Sequence, residues 1–439
     1  MLGAAAPASN RADRDHADLI ELAKVLDVDR SFSSDAKDAF RQGLLQLQAR
    51  VGSISSAEMV LGAARLVALS GNGHTTVDIE DSARVFGLVP LRFAWFADGL
   101  YVVRAKKGFE HILGARVLSI DGRTAEQALE AVRPYLSGTL EHARSNSAVI
   151  LETPALLHAI WPDADDMQVV LEIEKEGNRG RALAAAEPAG DEPIPVPSVR
   201  AIAPAKLGHG RTAESSDWNT VLREDDDLPL SLREPGRSAL ITPLENDGVY
   251  IRLNSITDDQ RGPLAAQLES PLFGVPNGGW KWVVLDLRFN TGGDYSKTLL
   301  FTQALPARIA ENGHLWLLTS NSTFSAAIVT LARAKYFAGS RAHIVGEKVG
   351  DQDEFWAELG MPIRLPNAGA SIHTATGMHN WVKGCTDRTR CFWLNLAFGV
   401  AAGDLSPEVA IGWQFADYAA KRDTVLERVQ MLQRQTNGR

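Results

Sequence analysis

Two cysteines in 439 residues, Cys385 and Cys391, are too few for a disulfide-stapled scaffold and cannot complete a four-Cys zinc site. Basic residues do not outnumber acidic ones: 45 Lys and Arg against 54 Asp and Glu give net −9, which argues against a nucleic-acid surface. No apolar run approaches the roughly 18 residues of a membrane span. The phosphate loop G-x-x-x-x-G-K-[ST], the dinucleotide loop G-x-G-x-x-G and the zinc helix H-E-x-x-H do not occur. His373 and His379 stand six apart, a spacing that suits metal ligands on neither a helix nor a strand. No cofactor and no metal are therefore expected. G-x-S-x-G is also missing, so the nucleophile elbow of the α/β-hydrolases is not signalled. Ser34 to Lys37 fits S-x-x-K but lies in a polar helix start.

What remains is an ordinary globular composition, 45% hydrophobic and 23% charged. The length allows two or three domains with one large core. The ten Trp are explained more simply as core and pocket lining than as a carbohydrate platform. The opening MLGAAAPAS has small residues like the end of a cleaved export signal, without its charged start or apolar core, and equally fits a cloning remnant. In CTDRTRC the cysteines read either as a local disulfide or as two free thiols. A disulfide would place the chain outside the reducing cytoplasm.

The strongest positive signal is Val283 to Gly293, VVLDLRFNTGG, followed by TFSAA at Thr323 to Ala327. The first reads as a buried strand running into a glycine turn, which leaves backbone N–H groups unpaired. The second sets Ser325 just ahead of a helical pattern, AAIVTLARAKYFA. A serine at the positive end of a helix beside free amides supplies a nucleophile and an oxyanion hole. The commoner use of such a serine is to cap the helix.

Pattern divides the chain into five parts. Residues 1–73 read as a helical region, with Ser34 expected to cap its second helix. Residues 74–187 form a β-rich module with an Ile-Asp-Gly turn between strand and helix. Residues 188–238 are a Pro-rich connector with an acidic run from Glu224 to Asp227. Strands and helices alternate over 239–425, implying a parallel α/β sheet. Residues 426–439 are expected to be a C-terminal tail.

GNGHT at Gly71 to Thr75, DLRFNTGG at Asp286 to Gly293, TFSAA, VGE at Val345 to Glu347, LPNAG at Leu365 to Gly369 and LSPEVAI at Leu405 to Ile411 occur in that order. The set resembles the tail-specific (C-terminal processing) serine peptidase family, in particular its tricorn-core-like branch. The likeness covers about residues 60 to 415. It implies an α/β fold: a crotonase/Clp-protease-like catalytic domain with an N-terminal helical region and a PDZ-like module. The implied activity is hydrolysis of peptide or unfolded-protein substrates, in the periplasm or outside the cell.

One branch of that family uses a Lys about 25 residues after the Ser as its base. Here Asp351 and Gln352 fill that place, and Lys348 is out of register. The other branch uses a His in a G-x-H-T context, which His74 matches. The resemblance thus gives Ser325 as nucleophile, His74 as base, and the amides of Gly293 and Ala326 as oxyanion donors. The acid that steers the His falls on Ala401 in this sequence. Asp404 is the nearest acid, with Glu358 and Glu347 more distant. Three expectations stand open: Asp404 substitutes, a Ser–His dyad works alone, or the chain is an impaired peptide-binding protein. An acyl-thioester hydrolase on the same fold is the other enzymatic reading. Asp286 and Arg288 are expected to brace the strand end, and Asn290 to fix the turn.

Overall fold

A six-stranded sheet carries the candidate site: β1 (Ala239–Leu244), β2 (Gly248–Leu253), β3 (Trp280–Asp286), β4 (Ile309–Thr319), β5 (Ala342–Gly346) and β6 (Val409–Ala410). Its order is β6-β5-β4-β3-β2-β1, antiparallel only between β1 and β2. The computed structural model describes residues 10–188, 202–204, 218–223 and 226–437. Much of the expected connector over 188–238, including Glu224 and Asp225 of its acidic run, lies outside them.

Helices Leu264–Gly274, Leu299–Arg308 and Ala326–Ala338 connect β2 to β5 as successive crossovers. Each covers the same face of the sheet, where Val283, Leu285, Leu315, Leu317 and Ile344 point. The alternate residues Trp282, Val284, Trp316, Leu318 and Val345 bury the other face against Val425, Leu426 and Val429 of the Thr424–Asn437 helix. Burial on both faces is why these strands are continuous apolar runs. Segment 426–439 is therefore mostly a packed helix and not a free tail. Its apolar residues recur at helical steps, and Gln433 accepts a hydrogen bond from Trp316 Nε1 at 2.8 Å.

The N-terminal part holds the helices Arg11–Ala23, Val25–Val28, Ser34–Gln48 and Ser56–Ala68. The cap of the third is Ser33, whose hydroxyl accepts from Ala36 N, and Ser34 is its first helical residue. Ser55 and Glu58 form a capping box at the fourth. Strands Leu91–Phe96, Gly99–Lys106, Arg116–Ile120, Gln168–Lys175 and Asn178–Ala185 make an antiparallel sheet. The helices and this module share one hydrophobic core, from Leu22 and Phe40 to Leu100, Ile120 and Leu171. Leu365, Ala370 and Ile372 from the far end of the chain join it. Thr76–Asp78 pairs antiparallel with Ala370–His373, which ties the segment after His74 to the second half of the protein.

Cys385 and Cys391 are bonded to each other. They pack with Trp356 and Met378 under the strand pair Glu354–Leu359 and Ala375–Asn380. Among the described residues no helix is long and apolar enough to cross a membrane.

Candidate active site

Three loops leave the carboxyl ends of the adjacent parallel strands β3, β4 and β5, the edge where ligands bind in open α/β sheets. Hydrogen bonds stitch them together. Thr323 Oγ1 donates to Leu287 O at 2.9 Å, Phe324 N to Asn290 O at 3.0 Å, and Gly350 N to Thr323 O at 2.9 Å. Asp286, Arg288 and Asp423 form a buried ion cluster beneath: Arg288 Nη2 lies 2.6 Å from Asp286 and 2.7 Å from Asp423. The two carboxylates hold the Arg288 guanidinium well above its usual range despite burial. The bracing role expected for Asp286 and Arg288 is thus present, with Asp423 as an added partner. Asn290 fixes the glycine turn: its Oδ1 accepts from Gly292 N at 2.9 Å and its amide donates to Leu253 O at 3.0 Å.

Ser325 directly precedes the Ala326–Ala338 helix with φ 56 and ψ −125, a backbone conformation that costs a non-glycine residue on the order of 1–3 kcal/mol. It makes no capping bond. The sequence lacks G-x-S-x-G, yet the serine stands on a strained turn into a helix as an elbow nucleophile does. Gly292 lies against it. A Cβ there would sit 2.6 Å from Ser325 Cβ, 3.0 Å from its Oγ and 3.2 Å from Ala326 N. Gly293, at φ 135, passes so close to Ile256 that a Cβ would meet its carbonyl oxygen at 2.3 Å. Only glycines allow this double approach. Ile256 N donates to Gly292 O and Asp294 N to Ile256 O, while among the described residues no backbone bond takes the N–H of Gly293 or of Ala326.

His74 is buried, its ring between Phe324 (centroids 4.4 Å apart) and Phe355 (5.3 Å). Its Nδ1 lies 3.3 Å from Asp351 Oδ2, close enough for charge pairing but without the alignment of a hydrogen bond. Neither ring nitrogen has a hydrogen-bond partner among the described residues, so no such bond joins His74 to Ser325 here. The loop is held by side chains. Asn72 donates to Trp356 O and accepts from Trp356 N, both at 3.0 Å, and Gln352 Nε2 donates to Gly71 O at 2.9 Å. Thr75 Oγ1 donates to buried Asp29 at 2.7 Å, which also takes Ala375 N.

Asp404 stands apart from this pairing. Its carboxylate accepts from Ser406 N at 2.9 Å on an exposed turn, and the carboxylate facing His74 is that of Asp351. Glu358 pairs with His379 at 3.1 Å. Glu347 has no ion-pair partner among the described residues, and burial raises its pKa. Asp351 carried a signal in the sequence, since it occupies the register of the other branch's Lys. His142 carried none. Its ring lies 4.6 Å from Phe324 on a cleft wall, and burial pushes it down to about 4 against the pull of Asp351.

The cleft, about 370 Å³, is lined by His74, His142, Thr291, Phe324 and His373 among others. A second cavity of about 150 Å³ adjoins it between the β-rich module and the sheet. Glu80, Ser145, Asn146, Val149, Asn321 and Ser322 line both. Among the described residues no cluster of three or more His, Cys, Asp or Glu could hold a metal.

No family model matches the sequence, and no curated protein matches it. Solved structures do. Mature CPAF complexed with lactacystin matches with TM-score 0.56 and 13% identity, over 97% of this chain and 99% of that one. A second structure of mature CPAF gives the same score and identity over 96% of each. The photosystem II D1 C-terminal processing protease matches at TM-score 0.36 and 13% identity, over 91% of this chain and 93% of that chain. At such identities the likeness to CPAF concerns architecture alone: this chain has, over nearly its whole length, the fold of mature CPAF.

Proposed function

We propose that the protein is a serine peptidase of the tail-specific type, with a crotonase-like catalytic sheet and a PDZ-like module. The observation that carries this reading is Ser325 on its strained turn, packed against Gly292 with the unbonded amides of Gly293 and Ala326 nearby. The pairing of His74 with Asp351 beside Phe324, the residue before the serine, supplies the proton chemistry.

In this mechanism a peptide enters the cleft and its scissile carbonyl meets Ser325 Oγ. His74 Nε2 takes the hydroxyl proton as the C–O bond forms. Asp351 faces Nδ1, keeps the proton on that nitrogen and stabilises the imidazolium. The carbonyl oxygen, now an anion, is held by the N–H groups of Gly293 and Ala326, supported by the helix dipole. His74 then protonates the leaving amine, and water releases the acyl group by the same steps in reverse roles. The Ser325–His74 hydrogen bond is absent here and forms on substrate binding, as catalytic bonds that are loose in the free enzyme tighten in the complex.

With Asp351 facing His74, Ala401 gives no reason to infer impaired catalysis. Strand pairing at chain edges fits extended peptides, and the disulfide fits a periplasmic or secreted location. The test compares an unfolded casein-like polypeptide with a simple acyl thioester as substrate for the wild type and Ser325→Ala. Peptide hydrolysis lost in the variant supports the reading, and thioester cleavage without peptide cleavage overturns it.

A further inference from the structure

The cavity beside the cleft is not needed by the proton chemistry, and its lining is distinctive. Five aromatic residues wall it: Phe93, Trp95 and Phe96 from the edge strand of the β-rich module, Phe289 from the loop after β3, and Trp413. Its volume, about 150 Å³, matches that of an apolar protein cavity known to take up benzene. Aromatic walls favour an aromatic guest through offset and edge-to-face contacts. The cavity shares a wall with the cleft: Asn321 and Ser322, which stand just before Ser325, line both, as does Ser145, whose hydroxyl is hydrogen-bonded to that of Ser322 at 2.8 Å.

Resting on the peptidase reading, we infer that this cavity is the specificity pocket of the enzyme and takes a phenyl-sized side chain of the bound peptide, so that the substrates are chains carrying Phe or Tyr at one fixed position from the scissile bond. Four charged residues line the wall: Arg144, Arg288, Glu80 and Glu347. The Arg144 guanidinium lies over Trp95, 4.7 Å from its ring centre, and donates to Phe96 O at 3.2 Å, so it is part of the wall. Arg288 is neutralised by Asp286 and Asp423. Glu80 and Glu347 are the acids that would draw a Lys or Arg side chain instead; burial raises the pKa of Glu347 and so works against its charged form, while Glu80 also lines the neighbouring cleft.

The experiment profiles the full-length protein on an unbiased peptide library and maps products by mass spectrometry. The expected result is enrichment of Phe and Tyr at one subsite. In Ala94→Trp, which fills the cavity from the edge strand, the ratio of kcat/KM for a Phe peptide to that for its Ala counterpart falls about tenfold or more. Phe289→Ala enlarges the cavity and moves the preference toward Trp, an independent readout should Ala94→Trp fail to fold. Cleavage with no aromatic enrichment, enrichment of Lys or Arg, or an unchanged ratio in a folded variant overturns the pocket assignment while leaving the peptidase reading intact. Absence of any peptide cleavage overturns both.

Discussion

The Nδ1 atom of His74 and the Oδ2 atom of Asp351 lie 3.3 Å apart inside the protein, with both side chains almost wholly buried. One comes from the loop after the N-terminal helices and the other from the loop after β5. Each is locked by its neighbours, His74 between two phenyl rings and Asp351 by the N–H of Gln352 at 2.9 Å.

In the proposed mechanism, Asp351→Asn removes the charge that fixes the His74 tautomer. The expected effect is a loss of kcat on the order of 10²- to 10⁴-fold with KM little changed. Asp404→Asn, at an exposed turn, is expected to turn over nearly normally. Steady-state kinetics on both variants decide, and the opposite ranking would return the orienting role to Asp404.

Gly292→Ala places a methyl carbon 2.6 Å from Ser325 Cβ. The turn must open, displacing the serine and the amides together. A fall in kcat of about 10²-fold or more is expected, the size of losing an oxyanion donor. Thermal unfolding should show a modest accompanying loss, and wild-type kinetics in a folded Gly292→Ala protein would argue against this turn as part of the site.

Burial holds His142 at about 4, below its ordinary value of 6.5. A histidine depressed in the folded state contributes stability that is whole above about pH 6.5 and is lost as pH falls toward about 4, on the order of 3 kcal/mol at most. Urea unfolding at pH 7.5 and pH 4.5 should show a smaller acid loss in His142→Asn than in the wild type. Equal acid losses would mean that His142 is not held neutral by the fold.

Cys385 and Cys391 close a short loop packed against Trp356, whose backbone Asn72 grips two residues before His74. Replacing both by Ser should cost about 2 kcal/mol of stability, by the loop-closure estimate. Because the loop supports the strand behind His74, activity should fall with it. Urea midpoints of the Cys385→Ser/Cys391→Ser protein and of the wild type, measured alongside peptidase rates, check both parts.

The α/β sheet was legible in the sequence because strands buried on both faces must be largely apolar, as VVL and LWLL are. The nearness of Ser325 to Gly292 and Gly293 was legible for a related reason: glycine is required where backbones pass this closely, and it leaves a visible pair. The acid facing His74 was harder to read. Asp351 reaches His74 only because the loops after β5 and before Thr76 are laced together through Asn72, Gln352 and Trp356, contacts between residues far apart in sequence. His142 and the aromatic cavity were hidden likewise, since each joins the β-rich module to the sheet through side chains that no local period reveals. The sequence of 426–439 reads as a tail because the Thr424–Asn437 helix is mostly polar, and its apolar stripe matters only against the sheet.

The most direct measurement is mass-spectrometric mapping of the adduct formed with a fluorophosphonate, which traps an activated serine as a covalent ester. A single adduct on Ser325 is expected, absent in Ser325→Ala and forming at least about 10²-fold more slowly in His74→Ala. Labelling at another serine, or an unchanged rate in His74→Ala, would contradict the assignment of Ser325 as a nucleophile activated by His74.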